Sequence, residues 1–82
     1  MTTVDTVDTV EFRGVHYATF HGAPFDRGSA DSYYSRPEDP HWYPDGTYNG
    51  VRVDADKMTE QQIAAYRAGY ALNEESGDRK EW

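Results

Sequence analysis

Six side chains between positions 27 and 43 have the chemistry to hold a ligand: Arg27, Tyr34, Arg36, His41, Trp42 and Tyr43. They fall in the stretch PFDRGSADSYYSRPEDPHWYP, residues 24–44, which gathers five aromatics, two arginines and a histidine. Guanidinium groups beside aromatic rings stack on flat π-systems and anchor protein interfaces. The spacing therefore predicts an arginine–aromatic platform built for binding. The same residues also admit a structural role, in which the rings fill a thin core and the arginines pair with Asp31, Glu38 or Asp39.

Other chemistries find less support. His16, His21 and His41 show no helical or hairpin metal-ligand spacing, so a structural or surface role is expected and no metal or cofactor is called for. Ser29, Ser32 and Ser35 lack a placed base, which argues against a nucleophilic triad. The Tyr48-Asn49-Gly50 run has no phosphate-loop lysine and reads as a turn. Asp5, Asp8 and Glu11 at one end, and Glu74, Glu75, Asp78 and Glu81 at the other, could imitate a line of phosphates. Arg79 and Lys80 interrupt the second run, and a solvated surface is the expectation.

Composition narrows the classes. A chain of 82 residues makes one small domain, and a domain of this size buries only about 60–65% of its unfolded surface. With no cysteine there is neither a disulfide staple nor a thiolate, and a reducing cytoplasm is the expected compartment. No apolar run approaches the roughly 20 residues a membrane span needs, and MTTVDTVDTV does not read as a signal peptide. Eight Lys and Arg against fifteen Asp and Glu give a net charge of −7, which repels nucleic acid unless the cations are gathered on one face.

The elements that must position the candidate residues follow from local chemistry. Residues 1–9 read as a flexible arm. The alternation from Val10 to Phe20 predicts a hairpin turning at Arg13-Gly14. Asp26 can cap a short helix over residues 27–35, which Pro37 ends. RPEDPHWYPDG, with its three prolines, predicts an extended loop. Asn49-Gly50 predicts a type I′ turn between strands at Thr47-Tyr48 and residues 51–53. A second helix begins at an N-cap Thr59, with Gln62 as capping-box partner, and ends at Gly77. Gly69 sits inside it at a cost of about 1 kcal/mol, which predicts close approach of another backbone near Gly28 and Ala30. The expected fold is α+β: a single domain over residues 10–77, with a small antiparallel sheet packed on two helices and a tail at 78–82.

The order RGSADSYYSR, PHWYP, AYRAGY, in which an Arg-Gly-x-Ala helix is followed by a Pro-aromatic loop and an aromatic-x-x-Gly-aromatic helix, resembles the ribosome modulation factor family. More closely, residues 24–44 together with AYRAGYALNEESGDRKEW are similar to short proteins encoded by tailed bacteriophages. The resemblance spans residues 24–82. It implies a phage-encoded accessory protein in the host cytoplasm that binds a host protein, for takeover or counter-defence, without catalysis. The alternative it implies is a ribosome- or RNA-associated module. Modulation factors are basic whereas this chain is acidic, which places a protein ahead of RNA as the expected partner. A small hydrolase is a third reading and requires a pocket of convergent titratable groups.

Overall fold

A computed structural model describes residues 9–81. The expected arm lies outside the described residues apart from Thr9, which opens the first strand. Strands β1 (Thr9–Phe12) and β2 (Val15–Ala18) form an antiparallel hairpin that pairs Val10 with Tyr17 and Phe12 with Val15. Its two turn residues, Arg13 (φ 53°) and Gly14 (φ 82°), both adopt positive φ as a type I′ turn requires. Tyr17 stacks on Phe25 with ring centres 5.3 Å apart, which seats the hairpin on the first helix.

That helix, α1, runs Pro24–Tyr33, three residues earlier than Asp26 as cap predicts. Pro24 starts it because its missing N–H needs no partner there. Asp26 lies in the first turn instead, and its carboxylate accepts from the Gly22 N–H at 3.0 Å, one residue before the N-cap Ala23. The C-terminus closes in a Schellman motif. Arg36 N–H donates to Asp31 O at 2.8 Å and Ser35 N–H to Ser32 O at 2.9 Å. Ser35 holds the left-handed position (φ 60°), where a glycine would spare roughly 1 kcal/mol. This turn folds Arg36 back beside the helix it follows.

Helix α2 (Glu60–Ser76) begins as expected. Thr59 Oγ1 accepts from Gln62 N–H at 3.1 Å, and the Gln62 side chain accepts from Thr59 N–H at 2.9 Å. Gly77 ends it in the left-handed conformation, φ 72°. The close approach to α1 is present and reciprocal, although Gly69 meets Phe25 rather than Gly28 and Ala30, and Gly28 meets Tyr66. A Cβ on Gly69 would stand 2.0 Å from Phe25 O, and one on Gly28 would stand 1.9 Å from Tyr66 O. Side chains of any size are excluded at both points, so the helix backbones meet directly. Beyond α2 the backbone returns to α1, where Lys80 N–H donates to Tyr33 O at 2.8 Å.

The second strand pair corrects the turn expected at Asn49-Gly50. β3 (His41–Trp42) pairs antiparallel with β4 (Val53–Asp54), so the pair encloses residues 43–52 rather than turning tightly within them. Tyr48 (φ 63°) and Gly50 (φ 70°) take positive φ, and Asn49 does not. The ladder stops at Trp42 because Tyr43 N–H turns away to Gly22 O at 2.8 Å. Two successive turns, Gly46 N–H to Tyr43 O and Asn49 N–H to Gly46 O, then consume the segment where a strand was expected. A single 3₁₀ turn, Ala55–Lys57, links β4 to α2. The fold is thus α+β, with two two-stranded antiparallel sheets among the described residues instead of one. No described helix is long and apolar enough to cross a membrane.

Candidate functional site

The helix crossing brings polar groups, not only apolar ones, into the interior. Tyr66 on α2 is fully buried, and its hydroxyl donates to Asp31 on α1 while accepting from Asp39 N–H at 2.9 Å. Burial first, then the Asp31 bond, pushes the Tyr66 phenol well above its ordinary value. Asp31, 3% exposed, also meets Arg36 Nη1 at 3.3 Å and Arg27 Nη2 at 3.9 Å. Arg27 is itself 6% exposed and donates from Nε to His41 Nε2 at 3.0 Å. A guanidinium can only donate, so His41 Nε2 is an acceptor. The proton therefore sits on Nδ1, which donates to Asp39 O at 2.6 Å and fixes the neutral tautomer.

Below this network, Asn73 donates to Ser32 Oγ at 3.0 Å, and Ser32 donates to Glu74 at 2.6 Å. The Ser32 bond is the main cause that holds the Glu74 carboxyl below its usual range, with Arg79 adding to it. Each hydrogen bond offsets part of the desolvation cost of a polar group in the interior.

Of the six residues singled out in the sequence, the structure brings four together. Arg27, Arg36, His41 and Tyr43 line one cleft of about 320 Å³, with Tyr48 and Arg52 on its wall. Tyr34 flanks it: the Arg36 guanidinium carbon lies 4.8 Å from the Tyr34 ring centre, and both residues border a neighbouring cleft of about 380 Å³. Trp42 departs. As the next residue along β3 after His41, it lines a separate groove with Val51 and Val53 and meets Phe20 edge-on at 6.4 Å. Arg27 and Arg36 pair with Asp31, as the structural reading expects, and also contact aromatic rings.

Tyr48 and Arg52 are the residues that sequence reasoning missed. Arg52 reaches the cleft through tertiary pairing: β4 lies beside β3, so Arg52 Nη2 meets Asp39 at 2.8 Å. Although partial burial works against it, bonds to Asp39 and Asp54 raise the Arg52 pKa far above its ordinary value. No local pattern announces this. Tyr48, 68% exposed, contacts the buried Arg27 at 5.3 Å from ring centre to guanidinium carbon.

A larger groove, about 680 Å³, opens between the hairpin and α2 along Phe12, Val15, Ile63 and Ala68. Its bordering cations are compensated, Arg13 by Glu75 and Arg67 by Glu38 at 3.7 Å. It offers apolar contact and no convergent chemistry. Among the described residues no cluster of His, Asp or Glu has the arrangement of a metal site. No protein-family model, curated protein or solved structure gives a significant match to this sequence.

Proposed function

We propose that this chain is a binding protein whose recognition surface is the arginine–tyrosine face around Arg36, and that its partner is another protein. One observation carries the reading. Arg27 and Arg36 each contact tyrosine rings, and two of those rings, Tyr34 (37% exposed) and Tyr48 (68% exposed), remain open to solvent. Tyrosine and arginine dominate the energetics of protein interfaces because they bury large areas and lose little freedom in doing so. The Tyr48 ring packs edge-on against Tyr43 at 5.4 Å and over the Arg27 guanidinium, contacts that orient it for a partner. A protein rather than a nucleic acid is favoured by charge, since Asp31, Asp39 and Asp54 pair with the arginines and weaken attraction for a phosphate backbone. Such a role fits a phage accessory protein directed at a host protein, and no catalysis is invoked.

The test compares the wild-type protein with Tyr34→Ala/Tyr48→Ala as bait in bacterial lysate, with and without nuclease. A protein held by wild type after nuclease and lost by the folded variant supports the reading. Capture that nuclease abolishes moves the assignment to RNA, and capture equal in both baits places the binding face elsewhere.

A further inference from the structure

The cleft beneath that face concentrates charge of the wrong sign for this molecule. Three of the eight cationic side chains of a protein with net charge −7, Arg27, Arg36 and Arg52, line it together. Their carboxylate partners are unevenly shared. Arg52 is held by both Asp39 at 2.8 Å and Asp54 at 2.5 Å, and Arg36 takes Asp31 Oδ1 at 3.3 Å. Arg27 is left with Asp31 at 3.9 Å, beyond hydrogen-bond reach, and with a neutral imidazole on its Nε.

Arg27 is therefore the undercompensated cation. Its side chain is more than nine-tenths buried, yet its Nη groups have no acceptor within hydrogen-bond distance among the described residues. Those Nη groups open onto the cleft rather than being sealed in the interior, so an arriving acceptor reaches them directly and forms charge-assisted bonds there. The contacts of its guanidinium with Tyr43, at 5.6 Å, and Tyr48, at 5.3 Å, engage ring faces and consume no N–H. What stays open is the planar edge of the fork, the geometry that pairs with a planar carboxylate through two parallel bonds.

We propose that this cleft is a carboxylate-binding site, in which one carboxylate is received by Arg27 and Arg36 while the body that bears it rests against Tyr43 and Tyr48. Charge selects the monoanion. Arg27 and Arg36 share Asp31 alone, which leaves one positive charge at the pair that receives the ligand, while Arg52 is matched by Asp39 and Asp54 and adds none; a carboxylate balances that charge and a phosphate dianion overshoots it. Size agrees, because about 320 Å³ is at the lower limit for ligand pockets and suits one side chain or one terminal residue. The carboxylate can come from a glutamate or aspartate side chain or from the C-terminal residue of a polypeptide. This inference rests on the protein-binding reading and names the group that the partner presents.

The probes are acetate, benzoate and inorganic phosphate, titrated while the arginine Nε–H resonances are followed by NMR. Benzoate and acetate are expected to shift the Arg27 and Arg36 signals saturably. Arg36→Met is expected to weaken both about tenfold, the loss of one charge-assisted pair, and Arg79→Met, remote from the cleft, to change neither. Tyr48→Ala, at an exposed position, is expected to weaken benzoate and spare acetate, which separates the wall from the charge without relying on Arg36. Acetyl-glutamate amide and acetyl-phenylalanine then distinguish a side-chain from a terminal carboxylate, and tighter binding of either identifies the source. Absence of saturable shifts with both carboxylates overturns the proposal, as does phosphate binding more tightly than either. If these fail while Tyr34→Ala/Tyr48→Ala still abolishes protein capture, the interface stands and only its carboxylate is removed.

Discussion

Replacing Gly69 by alanine puts one methyl group where the two helices touch, and ordinary helix chemistry predicts the opposite of what this structure does. In an isolated helix the change gains about 1 kcal/mol. Here the new Cβ would stand 2.0 Å from Phe25 O and 2.9 Å from Phe25 C. Carbon–oxygen contacts close up to about 3.3 Å, so α1 and α2 must part by roughly 1.3 Å. A gap of about 0.5–1 Å already forfeits a quarter to a half of the dispersion attraction along a contact. The Gly28 contact on the opposite side opens with it, and the Asp31–Tyr66 bond that bridges the helices is stretched. A net loss of about 3 kcal/mol follows, at the upper end for overpacking. A domain of this size has roughly 4–12 kcal/mol in total, and the melting temperature should fall by about 12–24 °C. Thermal and urea unfolding followed by circular dichroism read this directly. Gly77→Ala is the control, since its Cβ would meet nothing within 4 Å and only its left-handed backbone is strained; about 1 kcal/mol is expected. Gly28→Ala should resemble Gly69→Ala, and the double variant should lose less than the sum because the helices are already parted. A Gly69→Ala protein as stable as wild type would refute direct contact between the backbones.

Thr59→Ala removes the oxygen that caps Gln62 N–H, and urea unfolding should show a loss of about 1 kcal/mol. For Tyr66, the folded phenol keeps a proton that the unfolded state releases at its ordinary value of 10.0. The stability from this difference is complete below that pH and lost as pH rises above it. Tyr66→Phe should flatten that alkaline limb in a pH series of unfolding curves while lowering stability at neutral pH, because Asp31 loses a donor. Trp42 Nε1 is buried without a partner among the described residues, so Trp42→Phe should change stability by less than about 1 kcal/mol whereas Trp42→Ala costs about 3 kcal/mol; similar losses in both, measured by calorimetry, would show that the indole N–H is satisfied after all.

What the sequence made legible was whatever rests on short-range backbone chemistry. Thr59 with Gln62, the terminal Gly77 and the Arg13-Gly14 turn each concern groups a few residues apart, and each is present. Gly69 was legible for a different reason, since a glycine inside a helix is costly unless something needs the space. The start of α1 was not, because an aspartate accepts amide bonds equally well as the cap or in the first turn, and Pro24 decided the matter. Asn49-Gly50 misled because the residues of the strands it should join are engaged elsewhere: Thr47 and Tyr48 lie in the turn closed by Asn49 N–H on Gly46 O, and Val53 pairs with Trp42. In the site, Arg27, Arg36, His41 and Tyr43 share a segment and were visible as a group. Arg52 enters only through the β3–β4 pairing, and the division of Trp42 from His41 follows from strand alternation across a two-residue strand.

The interior described above mixes a few buried apolar residues, chiefly Ala23, Phe25, Tyr43, Tyr66 and Ala68, with Arg27, Asp31, Ser32, His41 and Asn73. That mixture governs how the protein meets temperature. Exposing apolar surface on unfolding raises heat capacity by about 0.45 cal/mol/K per Å², and exposing polar surface lowers it by about 0.26. The usual 12–15 cal/mol/K per residue or so is already the net of the two, and the larger polar share of this interior is expected to bring the increment below it. The stability curve is correspondingly shallow. Its maximum is modest, but cooling erodes it slowly, and so does warming short of the melting point. A domain with so thin a core is then expected to keep one shape through the breadth of its stability rather than its height, which calorimetry across a wide thermal range would read as a shallow curve.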